Sequence, residues 1–326
     1  MSGQTTKRFR IRQRIALAGA AALLFVSSAG YFAGVSAYFE WFAHFRVQYT
    51  VCAFLGVLIA WRWQSYVALA VAASCLLANL VICTRILEPR PPVMEQPAHV
   101  VRVMLSNVLM ENREFDRLVR LVLEEEPDIL FVQEVDDAWM AALVAGLTRS
   151  PGDYRFIAGQ ANSRRFGIAA FARRPGFRGR VLGVGHAAGA PGPVLELHWQ
   201  AQGQPLRLYS AHPVPPMGAR ATEIRNAQIQ QLLSLADAQP APYVLIGDLN
   251  NTPYAPSFAD WIARSRLTWP GIPGVRATWP VQRAFVLGIE IDHCLGTAGA
   301  QIQSVRVLRD IGSDHYPILC EIALSD

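Results

Sequence analysis

Four short polar islands end or begin apolar, strand-like runs: Gln133-Glu134, Gly247-Asp248-Leu249-Asn250, Ile291-Asp292-His293 and Ser313-Asp314-His315. Together they offer carboxylates, amides and a histidine. That set suits a hard divalent cation and a water molecule attacking a phosphate ester. A carboxylate buried within a strand is costly, whereas one at a strand end meets solvent and ligand. The recurrence of polar islands at strand ends separates a site from scattered surface charge.

Each island also has a plain reading. Glu134 follows four apolar residues and alone reads as a solvent-facing strand end; within the set it would ligate Mg²⁺. Asn107 alone is a turn former, and within the set it would help hold metal or phosphate. Asp248 and Asn250 are two apart, so on an extended chain both side chains reach one pocket. The stretch Gly-Asp-Leu-Asn-Asn-Thr-Pro is equally rich in turn formers, but a turn does not explain the strand feeding it. In Ser313-Asp314-His315, Asp314 would bind metal while His315 handles a proton. A third group must orient that imidazole, and Asp292 is the candidate. His212, after an apolar run, is a candidate donor to phosphate oxygens. His293, His186, His198, His44 and His99 read as structural or exposed. Arg164 and Arg165 read first as a solvated lead-in to a strand and second as a substrate-side pair.

Regular elements must position these groups. The pattern predicts strands over 100–105, 129–132, 167–171, 194–199, 206–210, 243–246, 289–295, 304–308 and 316–322. Phe115, Leu118, Val119 and Val122 fall at helical spacing, which predicts an amphipathic helix over 113–126 stopped by Pro127. A second helix is expected over 218–237, with Ile224, Leu232 and Leu235 as core contacts. Strand-rich mixed α/β is the class.

The first third of the 326-residue chain differs from the rest. Three apolar runs, 15–37, 47–61 and 66–87, predict three transmembrane helices; the middle one is short but is followed by Trp61, Trp63 and Tyr66. Length and the two further runs argue against a cleaved signal peptide. Lys7, Arg8, Arg10, Arg12 and Arg14 precede the first run, so the positive-inside rule puts the N-terminus in the cytoplasm. Three crossings then place the later residues outside the cytoplasm; failure of the middle span reverses this. Pro89-Arg90-Pro91-Pro92 reads as a stiff linker. The expected division is a membrane anchor over 1–97 and a folded domain over 98–326. That domain carries 21 basic and 22 acidic residues, which excludes a basic nucleic-acid binder by charge alone. Cys294 and Cys320 read as free core thiols ahead of a disulfide, and no zinc spacing appears.

The islands, in this order, resemble the endonuclease/exonuclease/phosphatase (DNase I-like) superfamily over about 100–324. Asn107 matches the first-strand Asn, Gln133-Glu134 the family's Gln-Glu, and Ala211-His212-Pro213 the mid-domain histidine motif. Gly247-Asp248-Leu249-Asn250 resembles Gly-Asp-Phe-Asn; Asp292 and Ser313-Asp314-His315 match the orienting Asp and the terminal Ser-Asp-His. With its anchor, the chain is similar to bacterial membrane-anchored members. The resemblance implies a four-layer α/β/β/α sandwich of two mostly antiparallel sheets. It also implies in-line attack of water on a phosphodiester or phosphomonoester at a bacterial inner membrane. Mg²⁺, or Mn²⁺ in its place, would sit on Glu134 with Asn107 and Asp314 nearby; Asn250 and His212 would hold the phosphate. Either Asp248 or the His315–Asp292 pair would take the water proton. Some nucleases carry Asp where this chain has Leu109, which disfavours the abasic-endonuclease subtype.

The expected substrate is therefore a phosphate ester: nucleic acid, nucleotide, phospholipid head group or sugar phosphate. The lipid bilayer is the only other expected partner. A second function class is a catalytically silent domain binding a phosphorylated ligand, which predicts a missing chemical residue; none is missing. A transporter role would need an ionisable group buried mid-span, and the apolar runs contain none.

Overall fold

The structure, a computed structural model, describes residues 2–85, 99–148, 154–185, 189–190, 192–201, 204–270 and 277–325. The expected linker at Pro89-Arg90-Pro91-Pro92, and His186, lie outside the described residues. The chain divides into two compact units: Met1–Glu88 with Thr252–Ala259, and Pro89–Asn251 with Asp260–Asp326.

The first unit is built on α1 (Ser2–Ala29), α2 (Ala37–Glu40), α3 (Arg46–Arg62) and α4 (Tyr66–Arg85). Two segments, Lys7–Phe32 and Tyr66–Thr84, are long and apolar enough to cross a membrane. The middle run becomes a bent pair, Ala37–Ala43 and Arg46–Arg62 at 62°, which makes a third span only if the pair counts as one. Small side chains let the helices approach: Ala20, Ala60 and Ala68 form one buried cluster, and Leu23, Ala53 and Cys75 another. Arg46 and Glu40 are buried, so ionisable groups do lie among these helices, although at helix ends rather than mid-span. Arg46 Nη1 donates to Ser27 O at 2.6 Å and Asn79 Oδ1 at 3.3 Å, and Asn79 Nδ2 donates to Ser27 Oγ at 3.0 Å. At the opposite end of α1, Gln13 Nε2 donates to Gln64 O at 3.1 Å. These contacts set α1, α3 and α4 up-down-up.

The second unit is an α/β/β/α sandwich. Its strands are β1 (His99–Asn107), β2 (Ile129–Gln133), β3 (Arg155–Gln160), β4 (Ile168–Ala172), β5 (Phe177–Val184), β6 (Gly192–Ala201), β7 (Gln204–Ala211), β8 (Tyr243–Asp248), β9 (Asp292–Gly296), β10 (Ala300–Val307) and β11 (Ile318–Leu324). One sheet runs β10-β11-β1-β2-β4-β3 and the other β5-β6-β7-β8-β9. Each is antiparallel except for one parallel pair, β1–β2 and β7–β8 respectively. The alternation of each strand divides its side chains between two cores. Val103, Leu105 and Phe131 meet Leu195, Leu208 and Ile246 between the sheets. On the outer face of the six-stranded sheet, Met104, Leu130 and Phe171 pack on Leu118 and Val122 of α5 (Phe115–Glu125) and Trp139 and Leu143 of α6 (Asp137–Leu147).

Helix α7 (Ala219–Asp237) takes the place expected for 218–237, but its inward face differs. Leu232 is buried as expected, whereas Leu235 is exposed and Ile224 only half-buried. Arg225 and Gln228 point inward instead. A stripe that includes long polar side chains shifts the phase read from apolar residues alone. Cys294 and Cys320 are buried thiols in different sheets, not joined by a disulfide.

Candidate active site

In β1–β2 the register pairs Asn107 with Gln133, so Glu134 emerges one residue past the strand. Glu134 adopts φ 62°, a left-handed conformation that costs a residue with a Cβ and that concentrates at functional sites. Its Oε1 accepts from Asn107 Nδ2 at 3.2 Å and its Oε2 from Met110 N at 3.3 Å. Asn107 Nδ2 also donates to Asp248 Oδ2 at 3.2 Å, linking the two sheets. In β8–β9 the register sets Asp248 opposite Asp292. Gly247 permits this approach of β8 to β7, because a Cβ there would lie 2.0 Å from Ala211 O.

His315 enters from the loop before β11. Its Nδ1 lies 2.9 Å from Asp292 Oδ2 and its Nε2 3.5 Å from Asp248 Oδ2. Ser313 Oγ fixes this loop, donating to Asn107 O at 2.8 Å and accepting from His315 N at 3.1 Å. His212 Nε2 lies 3.5 Å from Asp248 Oδ2. The structure therefore brings Asn107, Glu134, His212, Asp248, Asp292 and His315 together. The Asn250 main-chain N donates to Asp248 Oδ1 at 2.9 Å, but its side-chain amide donates to Pro213 O at 3.1 Å. Asp314 lies at the edge: its Oδ2 accepts from Trp279 Nε1 at 3.0 Å.

Charge is shared unevenly. Burial raises Asp248 to about 6, partly offset by His315. Burial also works against the His315 cation, yet Asp292 and Asp248 outweigh it and raise its pKa to about 10. Burial pushes Asp292 upward too, but contact with His315 overcomes that and lowers its pKa. His293, expected to be structural, donates from Nε2 to Asn251 O at 2.7 Å, and burial lowers its pKa to about 4.

The donor set fits a hard divalent cation. Glu134 and Asp314 supply carboxylates, and Asp314 Oδ1 is buried with no hydrogen-bond partner. Asp248, Asp292 and His315 also place ligand-type atoms within 4.8 Å of one another. There the Nδ1 of His315 is already engaged by Asp292, which makes that group a hydrogen-bonded cluster rather than an open coordination shell.

Two positioning residues, Thr278 and Trp279, escape a reading of the sequence alone, and Gln133, marked there as part of an island, proves to brace Asp248. Gln133 Oε1 accepts from Asp248 N at 3.1 Å, while its Nε2 donates to Ser210 Oγ at 3.2 Å and Ala211 O at 2.8 Å. Thr278 Oγ1 accepts from Asp292 N at 3.3 Å, and Trp279 holds Asp314. The one signal for Thr278 and Trp279 is the Thr278-Trp279-Pro280 run ahead of β9, which no periodicity marks.

The profile of the Endonuclease/Exonuclease/phosphatase family matches residues 104–315, from β1 through His315. The chain belongs to this family. It is a hydrolase of phosphate ester bonds, in a family that generally uses divalent metal ions. Among curated protein sequences, none matches this chain. The fold is that of solved relatives. D. rerio TDP2 complexed with single-strand DNA product aligns with TM-score 0.57 and 16% identity, over 68% of this chain and 98% of that one. The Bacteroides thetaiotaomicron mannosyl-6-phosphatase gives 0.55 and 17%, over 69% and 100%. A protein of unknown function from Enterococcus faecalis gives 0.57 and 18%, over 69% and 100%.

Proposed function

We propose that this chain is a membrane-anchored, Mg²⁺-dependent phosphoesterase that cleaves a phosphodiester or phosphomonoester by in-line attack of water. The contact set Asp292–His315–Asp248 beside Glu134 and Asn107 carries this reading. Glu134, Asn107 and Asp314 would hold the cation, Mg²⁺ or Mn²⁺, which when bound neutralises charge on the phosphate oxygens.

The proton roles follow from the two shifted groups. With a pKa of about 6, Asp248 is largely ionised at neutral pH and accepts the proton of the attacking water through Oδ2. His315, its pKa raised by Asp292 and Asp248, stays cationic and serves as a donor, which leaves the base role to Asp248. It donates from Nε2 to a phosphate oxygen while Asp292 fixes its ring. His212 offers a second donor to the phosphate. The main-chain N–H of Asn250 holds the carboxylate of Asp248 in register, and its amide keeps one hydrogen for the phosphate beyond the bond to Pro213.

Two apolar helices near the N-terminus and the basic residues ahead of them support an anchor in a bacterial inner membrane with a cytoplasmic N-terminus. The test is hydrolysis by the full chain in detergent, with Mg²⁺ or with EDTA. Plasmid DNA, bis-p-nitrophenyl phosphate, sphingomyelin and sugar phosphates make up the panel. Metal-dependent turnover that His315→Ala removes supports the reading. A folded, metal-binding protein that turns over none of them points to the silent binding domain.

A further inference from the structure

Arg165 lies in the turn 163–166 that leads into β4. Two main-chain hydrogen bonds fasten that turn to the residue after Glu134: Val135 N to Gly167 O at 3.1 Å and Asn162 N to Val135 O at 2.9 Å. Asn162 Oδ1 also accepts from Arg164 N at 2.7 Å. Only glycine fits at 167, where a Cβ would lie 1.7 Å from Val135 O. So held, Arg165 takes φ 63°, which no contact within a strand demands. Phe166, the next residue, places its ring 5.9 Å from that of His212.

The guanidinium is thereby committed to the rim of the site. Hydrogen bonding to Glu111 raises its pKa, and the charges of Glu134 and Asp314 add to that. Its hydrogen-bond partner is Glu111, with Nη2 2.6 Å from Oε1, and both side chains are about half exposed. An exposed pair of this kind contributes about 0–1 kcal/mol, so a substrate anion displaces Glu111 at little cost. A guanidinium then offers two parallel N–H donors that match a phosphate or carboxylate. Under the phosphoesterase reading the scissile phosphate is met by His315 and His212, whose Nε2 atoms both lie 3.5 Å from Asp248 Oδ2. The charge at Arg165 is left for something else.

We infer that Arg165 clamps a second anionic group of the substrate, adjacent to the scissile phosphate. This rests on the phosphoesterase reading above and narrows it. Esters carrying an additional phosphate or carboxylate are favoured, and head groups ending in a cation, such as choline, are disfavoured.

The experiment uses the full chain in detergent with Mg²⁺ and two substrates: thymidine 5′-(p-nitrophenyl phosphate) and its 3′-phosphorylated analogue. The unaltered protein should prefer the second by about ten-fold in kcat/KM, through KM, the size of one charge-assisted contact. Arg165→Gln should bring the ratio to about two-fold or less, and Arg165→Lys should retain part of it. Glu111→Gln, which frees the arginine, should widen it. No preference in the unaltered protein, or an unchanged ratio in Arg165→Gln, overturns the clamp. If neither substrate is cleaved, the phosphoesterase reading fails by itself. Calorimetry with thymidine 3′,5′-bisphosphate and thymidine 5′-monophosphate then decides the clamp. A preference for the bisphosphate that Arg165→Gln abolishes sustains it, and equal affinities overturn it.

Discussion

Asp248 and Asp292 stand opposite each other across β8–β9, the last residue of one strand facing the first of the other, and His315 bridges them. Two buried carboxylates so close cannot both ionise without a cation between them. Folding therefore fixes His315 as the shared counter-charge, and its ring orientation follows from Asp292. Replacing Asp292 by Asn keeps the shape but removes the charge that holds the imidazolium. We expect kcat to fall by about 10²–10⁴, with KM little changed, in steady-state assays at saturating substrate. His315→Ala should lose at least as much, because Asp248 then loses its cation as well. Activity within two-fold of the unaltered enzyme in both variants would remove the pair from the mechanism.

The same pair makes activity and stability depend on pH in opposite directions. Activity should rise as Asp248 ionises through about 6 and hold until His315 begins to deprotonate near 10. Stability has its own sign. The pKa of His315 is raised in the fold from an ordinary 6.5 to about 10. Its contribution is thus complete below about 6.5 and disappears as pH climbs through 10. Thermal melts at pH 7 and pH 10 should show the loss, and His315→Gln should flatten it. An unchanged slope in that variant would assign the pH dependence to other groups.

Gln133 joins the sheets at the site. Its amide is fully used, receiving from Asp248 N and donating to Ser210 and Ala211. Gln133→Leu keeps the volume but strands those partners in a buried place, at about 1–3 kcal/mol for each unsatisfied group. The melting temperature should fall. Residual activity at a temperature well below the melt should be reduced in kcat, because Asp248 and His212 lose their setting against Glu134. A lower melting temperature with normal kcat would make Gln133 a structural tie only.

The strands and the islands at their ends were legible because burial on both faces writes continuous apolar runs, as in Ile129–Gln133 and Tyr243–Asp248. Strand register was not, so nothing in the sequence set Asp248 opposite Asp292. Short or half-exposed elements also escaped: β3 and β5 alternate weakly, with burial patterns that mix exposed and buried positions. Helix α6 was missed although Asp136 caps it, accepting from Trp139 N at 2.9 Å, and Trp139, Leu143 and Leu147 recur every four residues. Most of its remaining positions are also apolar (four alanines, Met140 and Val144), which hides the period. Asn250 shows the limit of residue-type reasoning. Its amide was expected at the phosphate, but a φ of 50° turns the chain so that it also braces Pro213.

Metal affinity should track Glu134. Among the described residues its carboxylate accepts hydrogen bonds from two neutral donors, Asn107 Nδ2 and Met110 N, in a buried setting where a hard cation would add to the charge of Arg165 at the rim. Glu134→Gln should weaken Mn²⁺ binding by about ten-fold or more, read by electron paramagnetic resonance of the free ion. Unaltered Mn²⁺ affinity would move the metal to another carboxylate, with Asp314 first.

Three polar contacts among the helices lead us to expect a particular side of the membrane for the hydrolase unit. α3 has 17 residues, about 25 Å at 1.5 Å each, short for a hydrocarbon core of about 30 Å. Taken alone, that leaves two spans and returns the chain to the side of its N-terminus. The contacts argue otherwise. Gln13, near the start of α1, meets Gln64 just past α3; Ser27, near the end of α1, meets Arg46 at the start of α3 and Asn79 toward the end of α4. α4 therefore ends level with the end of α1, on the face opposite the arginines of the N-terminus. With those arginines cytoplasmic, we expect the hydrolase unit to be extracytoplasmic. Alkaline phosphatase fused after Asp326 should be active in cells, while a fluorescent protein that matures only in the cytoplasm stays dark. The reverse pattern would mean that α3 does not cross, and that the enzyme meets its substrate inside the cell.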